Sequence, residues 1–232
     1  MTDRKGKVAM CRRIGLSAAL LLLPAVASAG DGVAADKVLA DCRAMLPTRP
    51  VELSGAIVMR NRKGIVRSEY GYVLTLDRSK SPAEISIVIR ERDGTNVLKR
   101  ATLKRPGAIP EGNVMDTDVT WLDLSMDYLW WRNPRYEAER EGESVHGQKC
   151  RVILMDPPDA ASGAHRMRLW ADMKNGCLMQ AEELDAEGKA LRRLWGTRVK
   201  KFGDRWMANV LETETLGSGR RTKITVESLR EL

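Results

Sequence analysis

The sequence predicts a mainly β (α+β) chain: a curved antiparallel sheet of about ten strands wrapped around two or so helices. Three observations predict this. From residue 51 onward the apolar residues recur with a period of two instead of 3.6. Gly-, Asn- and Asp-containing turn signals follow at hairpin spacing. Only two stretches, 34–46 and 120–131, carry a helical pattern. A long antiparallel sheet has one wet face and one apolar face that needs cover, and these two helices are the cover available.

The chain has 232 residues and a formal net charge of +8. Its first 29 residues read as a secretory leader, not as part of the fold: Arg4, Lys5, Lys7, Arg12 and Arg13 precede an apolar run over 14–26, and Ala27-Ser28-Ala29 offers a small-residue cleavage site. The run is too short for a membrane span. Residues 30–232 are then one domain of ordinary size. Losing the leader's five basic residues and Asp3 halves the excess positive charge, which leaves an ordinary solvated surface. Nucleic-acid binding is excluded by export and by aromatics that lie away from the basic runs. The expected location is the periplasm.

An oxidising compartment gives weight to Cys42, Cys150 and Cys177, the three cysteines beyond the leader. Cys150 and Cys177 fall on the first and third strands of an expected meander. That separation is about twice the ~4.8 Å strand spacing, too far for a bridge. A bridge from Cys42 to a strand cysteine, or three free thiols, remain open.

In order, Ala35, Leu39, Cys42 and Leu46 form the apolar stripe of the first helix, with Val38 and Met45 beside it and Pro47 ending it. Val51, Leu53, Gly55, Ile57 and Met59 then alternate with polar residues, and so do Val66, Tyr70, Tyr72, Leu74 and Leu76. Ile85, Ile87 and Ile89 repeat the pattern. Asp93-Gly94 turns the chain into a strand over 95–103. A Gly/Pro-containing connection over 105–115 follows, and a loop of that length is usually functional. Strands are expected over 136–144, 148–155, 166–173, 178–184, 191–202, 206–214 and 222–229, most of them joined by short turns. Short turns imply sequential antiparallel pairing.

The Trp-rich segment 116–131 organises the rest. Thr120 and Asp123 fit a capping box, Asp118 stands just ahead of it, and Pro134 marks a stop. Thr120, Asp123 and Asp127 share one narrow edge, which reads as the wet side. Trp121, Leu122, Leu124, Met126, Tyr128 and Leu129 take most of the remaining circumference, so the helix must be buried. Trp121, Leu124, Met126, Tyr128, Trp130 and Trp131 either complete a dry core or line a cavity that two short helices cannot fill, the form a lipid site takes.

Enzyme chemistry is not indicated. His146 and His165 lie in turn contexts without a second ligand at metal spacing, and there is no nucleophile elbow, phosphate loop or dinucleotide fingerprint. Asp116, Asp118, Asp123 and Asp127 suit helix-start and solvent-edge positions better than an acid/base pair. No cofactor or metal is expected.

The run from Asp116 to Leu124 resembles the signature of the outer membrane lipoprotein-sorting family, the relatives of the Lol periplasmic carrier. An Asp-hydrophobe-Ser/Thr-x-x-Asp-Leu helix there follows a Gly/Pro-containing loop. Glu143 to Cys150, the strand Arg168-Leu169-Trp170-Ala171-Asp172, the turn from Leu184 to Lys189 and Arg221-Thr222-Lys223-Ile224 are similar in order. The resemblance implies a half-barrel with a hydrophobic cavity for acyl chains of lipid or lipoprotein. It implies as partners an inner-membrane transporter or an outer-membrane acceptor. The alternative is a sensor or protein-binding module of the same shape that transfers nothing.

Overall fold

The computed structural model describes residues 29–80, 83–105, 109–158 and 165–232. The expected leader up to residue 28 lies outside the described residues, as does 106–108 in the connection before the Trp-rich segment. The first helix, α1 (Ala29–Ala44), buries the expected stripe of Ala35, Val38, Leu39 and Cys42. Met45, one residue past its end, is 40% exposed.

The strands are β1 (Val51–Arg60), β2 (Val66–Asp77), β3 (Ala83–Glu91), β4 (Val97–Arg105), β5 (Arg135–Tyr136), β6 (Ser144–Val145), β7 (Gln148–Met155), β8 (Arg166–Asp172), β9 (Leu178–Leu184), β10 (Ala190–Phe202), β11 (Arg205–Thr215) and β12 (Arg221–Glu231). They form one open antiparallel sheet in the order β4-β3-β2-β1-β12-β11-β10-β9-β8-β7-β5, with β6 pairing β7. The result is a curved half-barrel. Sequential pairing holds along β1–β4 and β7–β12, as the short turns predict. The first and last long strands then pair with each other, Ile57 opposite Ile224, and join the two runs.

One expected strand is absent. Residues 136–144 form the short β5, a 3-10 turn at Ala138–Arg140 and the short β6. Gly142 takes a left-handed φ of 83°, and Glu137 is held by two bonds from Arg168, so the chain bends off the ladder there.

The period-two pattern turns Ile57, Tyr72, Leu74, Leu76, Ile85, Ile87 and Ile89 to one face, where they pack with Trp121 and Val119. Full burial of each such aliphatic side chain stabilises the fold by about 1.5–3 kcal/mol. On the other half of the same face, Ile153, Met155, Met167, Leu169 and Ala181 pack on α1 and on Tyr128, Leu129 and Trp131. Gly176, at the β8–β9 turn, allows α1 to settle, because a Cβ there would come within 2.7 Å of Asp41 Cβ. No helix among the described residues is long and apolar enough to cross a membrane.

Candidate functional site

The Trp-rich segment lies on the apolar face of the sheet, over both halves. It is not one helix. A five-residue α-helix, α2 (Trp121–Ser125), ends at Met126 in the left-handed region, φ 53°, and a 3-10 turn follows at Asp127–Trp130. The predicted capping box is present: Thr120 Oγ1 accepts from the Asp123 amide at 3.2 Å, and Asp123 accepts from the Thr120 amide at 2.8 Å. The break has local causes. The Met126 amide donates to the Leu122 carbonyl, the Asp127 amide donates to Ser125 Oγ, and Arg105 donates to the Ser125 carbonyl. These bonds close the helix after little more than one turn.

Of the polar edge that reads as wet in sequence, Asp123 and Asp127 are buried and Thr120 is half-buried, and Asp118 ahead of it is buried too. Asp118, Asp123 and Asp127 are 0%, 5% and 8% exposed. Arg192 of β10 explains Asp123. It bonds Asp123, the Asp118 carbonyl at 2.9 Å and Glu183 at 2.9 Å. Burial works against charge here, yet Asp123 and Glu183 together hold the Arg192 guanidinium above its ordinary range. Asp118 accepts from Thr215, Thr222 and Arg220 on or beside β11 and β12. Asp127 pairs with Arg105 at 3.2 Å. Each carboxylate ties the segment to the sheet, the positioning role of a buried ion pair.

The six candidate lining residues fall into two groups. Trp121 and Leu124 join the cluster over β1–β4, whereas Met126, Tyr128, Trp130 and Trp131 join the cluster of α1 and β7–β9. Trp121, Tyr128 and Trp131 are buried, and Leu124, Met126 and Trp130 are half-buried. The indole Nε1 of Trp121 and the hydroxyl of Tyr128 have no hydrogen-bond partner among the described residues. Burial pushes the Tyr128 phenol far up, with Asp123 adding to it.

Sequence reasoning did not single out Arg43, Arg78 and Arg105, which converge on the Trp130 ring. The only sequence signal is their charge beside turns, which surface arginines share.

The opposite face of the sheet carries a cleft of about 730 Å³ between Trp170 and Trp195. Its charges are largely paired: Arg193 with Glu182 at 2.8 Å, Arg221 with Glu214 at 3.1 Å, and Trp170 Nε1 donating to Glu143 at 2.9 Å. Such a lining suits polar contact, not an acyl chain. Cys150 lies beneath this face with Val152, while Cys42 faces α1's cluster. Cys42, Cys150 and Cys177 are free thiols, and burial pushes the Cys42 thiol up to about 12.

Three solved structures share this architecture. A DUF1329 family protein from Desulfovibrio piger superposes with a TM-score of 0.66 at 12% identity, covering 87% of this chain and 93% of its own. A Vibrio parahaemolyticus protein described as an outer membrane lipoprotein-sorting protein domain gives 0.65 at 16% identity, over 85% and 93%. A LolA superfamily protein from Nitrosomonas europaea gives 0.65 at 15% identity, over 85% and 94%. At these identities the likeness is one of fold. No curated protein matches the chain. Residues 99–231, more than half of the chain, match the model of a family described as "Uncharacterized protein", and the chain, folded like the outer membrane lipoprotein-sorting proteins, belongs to that family.

Proposed function

We propose that this protein is a periplasmic carrier that binds acyl chains of lipid or lipoprotein on the inner face of its half-barrel. A leader over residues 1–29 delivers the domain 30–232, which shields its cargo between an inner-membrane donor and an outer-membrane acceptor and performs no covalent chemistry. One observation carries this reading. The cover over the apolar face is a segment of short, broken helix, with two separate apolar clusters on either side of it. A short helix has little stability of its own and depends on its packing. Displacing it would expose Trp121, Leu124, Met126, Tyr128, Trp130 and Trp131 to a chain. The unpartnered Trp121 Nε1 and Tyr128 hydroxyl support this, because two polar atoms buried without partners make the packed state less favourable than a fully apolar core.

Gentle purification followed by native mass spectrometry, with titration of a fluorescent acyl probe, tests the reading. Bound lipid or saturable probe uptake is expected. Repeated absence of both would sink the carrier. The complete burial of Trp121 and Tyr128 favours a second reading, a binding or sensor module with a dry core. That reading predicts a specific envelope-protein partner in cross-linking and no probe uptake.

A further inference from the structure

We propose that Arg43, Arg78 and Arg105, gathered around Trp130, form a binding site for a phosphate-type anion. The three arginines come from three separate elements: the end of α1, the residue after β2 and the last residue of β4. Their guanidinium carbons lie 5.7, 5.6 and 3.6 Å from the centre of the Trp130 ring. Arg105 stacks on that ring with its side chain 3% exposed. A tryptophan face attracts cations, which accounts for one of them. It does not account for three.

Among the described residues, the hydrogen-bonded and ion-paired partners of these arginines include one carboxylate, Asp127, bound to Arg105 at 3.2 Å. The remaining partners are neutral carbonyls. Arg43 Nε donates to Leu129 at 2.5 Å, Arg78 donates to Arg43 and Pro47 at 3.5 and 3.4 Å, and Arg105 donates to Ser125. Burial pushes Arg105 down to about 10 and also lowers Arg43; Asp127 opposes this at Arg105 and Asp36 opposes it at Arg43, while Arg78 adds repulsion to each. Three like charges in a partly desolvated place are costly without a counter-charge. Each guanidinium has five N–H groups, and the bonds above leave several free on every one. A tetrahedral, multiply charged oxyanion accepts from several arginine forks at once, a geometry that a lysine cluster would not specify.

The site also sits in the right place for a head group, a point that rests on the carrier reading. Trp130 is half-buried, and its cluster continues through Met126 and Leu122 toward α1. An anion held at the arginines would leave attached chains beside the apolar segment. Lipid phosphate and free inorganic phosphate share the recognising chemistry.

Isothermal titration separates these sources, using inorganic phosphate, dihexanoyl phosphatidic acid and neutral dihexanoylglycerol on the mature chain. We expect phosphatidic acid to bind at least ten-fold more tightly than dihexanoylglycerol. Arg43→Gln with Arg78→Gln should abolish that preference, leaving the diacylglycerol affinity and the thermal midpoint in place. Equal binding of the two lipids, or a preference that survives the double substitution, overturns the site. Inorganic phosphate binding that is lost in the double variant, with neither lipid bound, keeps the anion site and removes the carrier. Should the double variant fail to fold, Arg78→Gln alone serves, since Arg78 makes only long carbonyl bonds.

Discussion

Asp123 closes the capping box at the start of α2 and also pairs with Arg192 at 2% side-chain exposure. Removing one partner of such a pair leaves a buried charge uncompensated. Asp123→Ala should therefore cost about 3–5 kcal/mol in urea denaturation, against roughly 1 kcal/mol for a cap alone. A cost near the smaller figure would mean that Arg192 is satisfied by Glu183 without it. Glu183 gives a second prediction, in pH. Burial raises its carboxyl, but bonds from His165 and Arg192 outweigh that and hold it below the ordinary glutamate range. A depressed folded value gives stability that is present above the ordinary range and lost as pH falls through the folded one. Glu183→Gln should flatten the fall of the urea midpoint between pH 6 and pH 3. An unchanged slope would exclude Glu183 as a source of it. Asp127, raised by burial against the opposition of Arg105, acts with the opposite sign. The capping box was legible because its two members stand three residues apart. The burial of Asp123 was not, because its partner lies 69 residues away and no local pattern marks it.

Elements differ in how far their neighbours dictate them. The strands over 51–60, 66–77 and 83–91 were readable because one face is buried and the other wet, so alternation survives in the sequence. The Trp-rich helix was readable at its start and not at its end. A segment apolar on nearly all sides gives the same pattern whether it runs on or breaks at Met126, and the break depends on Arg105 reaching the Ser125 carbonyl. β1 offers a test at this scale. Its register with β12 shifts at Gly55, where an added Cβ would overlap the Thr225 carbonyl. Backbone cannot rotate away as a side chain can. Gly55→Ala should cost about 3 kcal/mol, the upper end for overpacking, and thermal unfolding would measure it. A near-neutral result would mean that the bulge moves along the strand. Exposed and buried tryptophans should likewise part: Trp121→Ala should cost roughly 3–5 kcal/mol, while Trp206→Ala, 62% exposed, should stay within about 0.5 kcal/mol.

The whole molecule depends on one strand that local reasoning could not place. Short turns announce most neighbours in β1–β4 and β7–β12, but nothing in sequence announces that β1 pairs with β12. Among the described residues, that pairing is the sole ladder joining the two runs in the sheet. The apolar clusters divide less sharply: one lies over β1–β4 and reaches Leu194 of β10 and Ile224 of β12, and the other lies over α1 and β7–β9. The Trp-rich segment straddles the division, held by Arg192 on one run and by Arg105 on the other. Loss of β12 would therefore do more than fray an end. It would leave β1 and β11 as two bare edges, take Ile224 and Val226 out of the core, and remove Thr222 from the buried Asp118. A chain ending at residue 219 should show no cooperative urea transition and no tryptophan near-ultraviolet signal, since neither half keeps a complete core. Adding a peptide of residues 220–232 should restore both by supplying the missing strand to the two edges. A truncated chain that unfolds cooperatively by itself would show that β1–β4 or β7–β11 is an independent unit, and that the segment between them, not the sheet, is what makes the half-barrel one body.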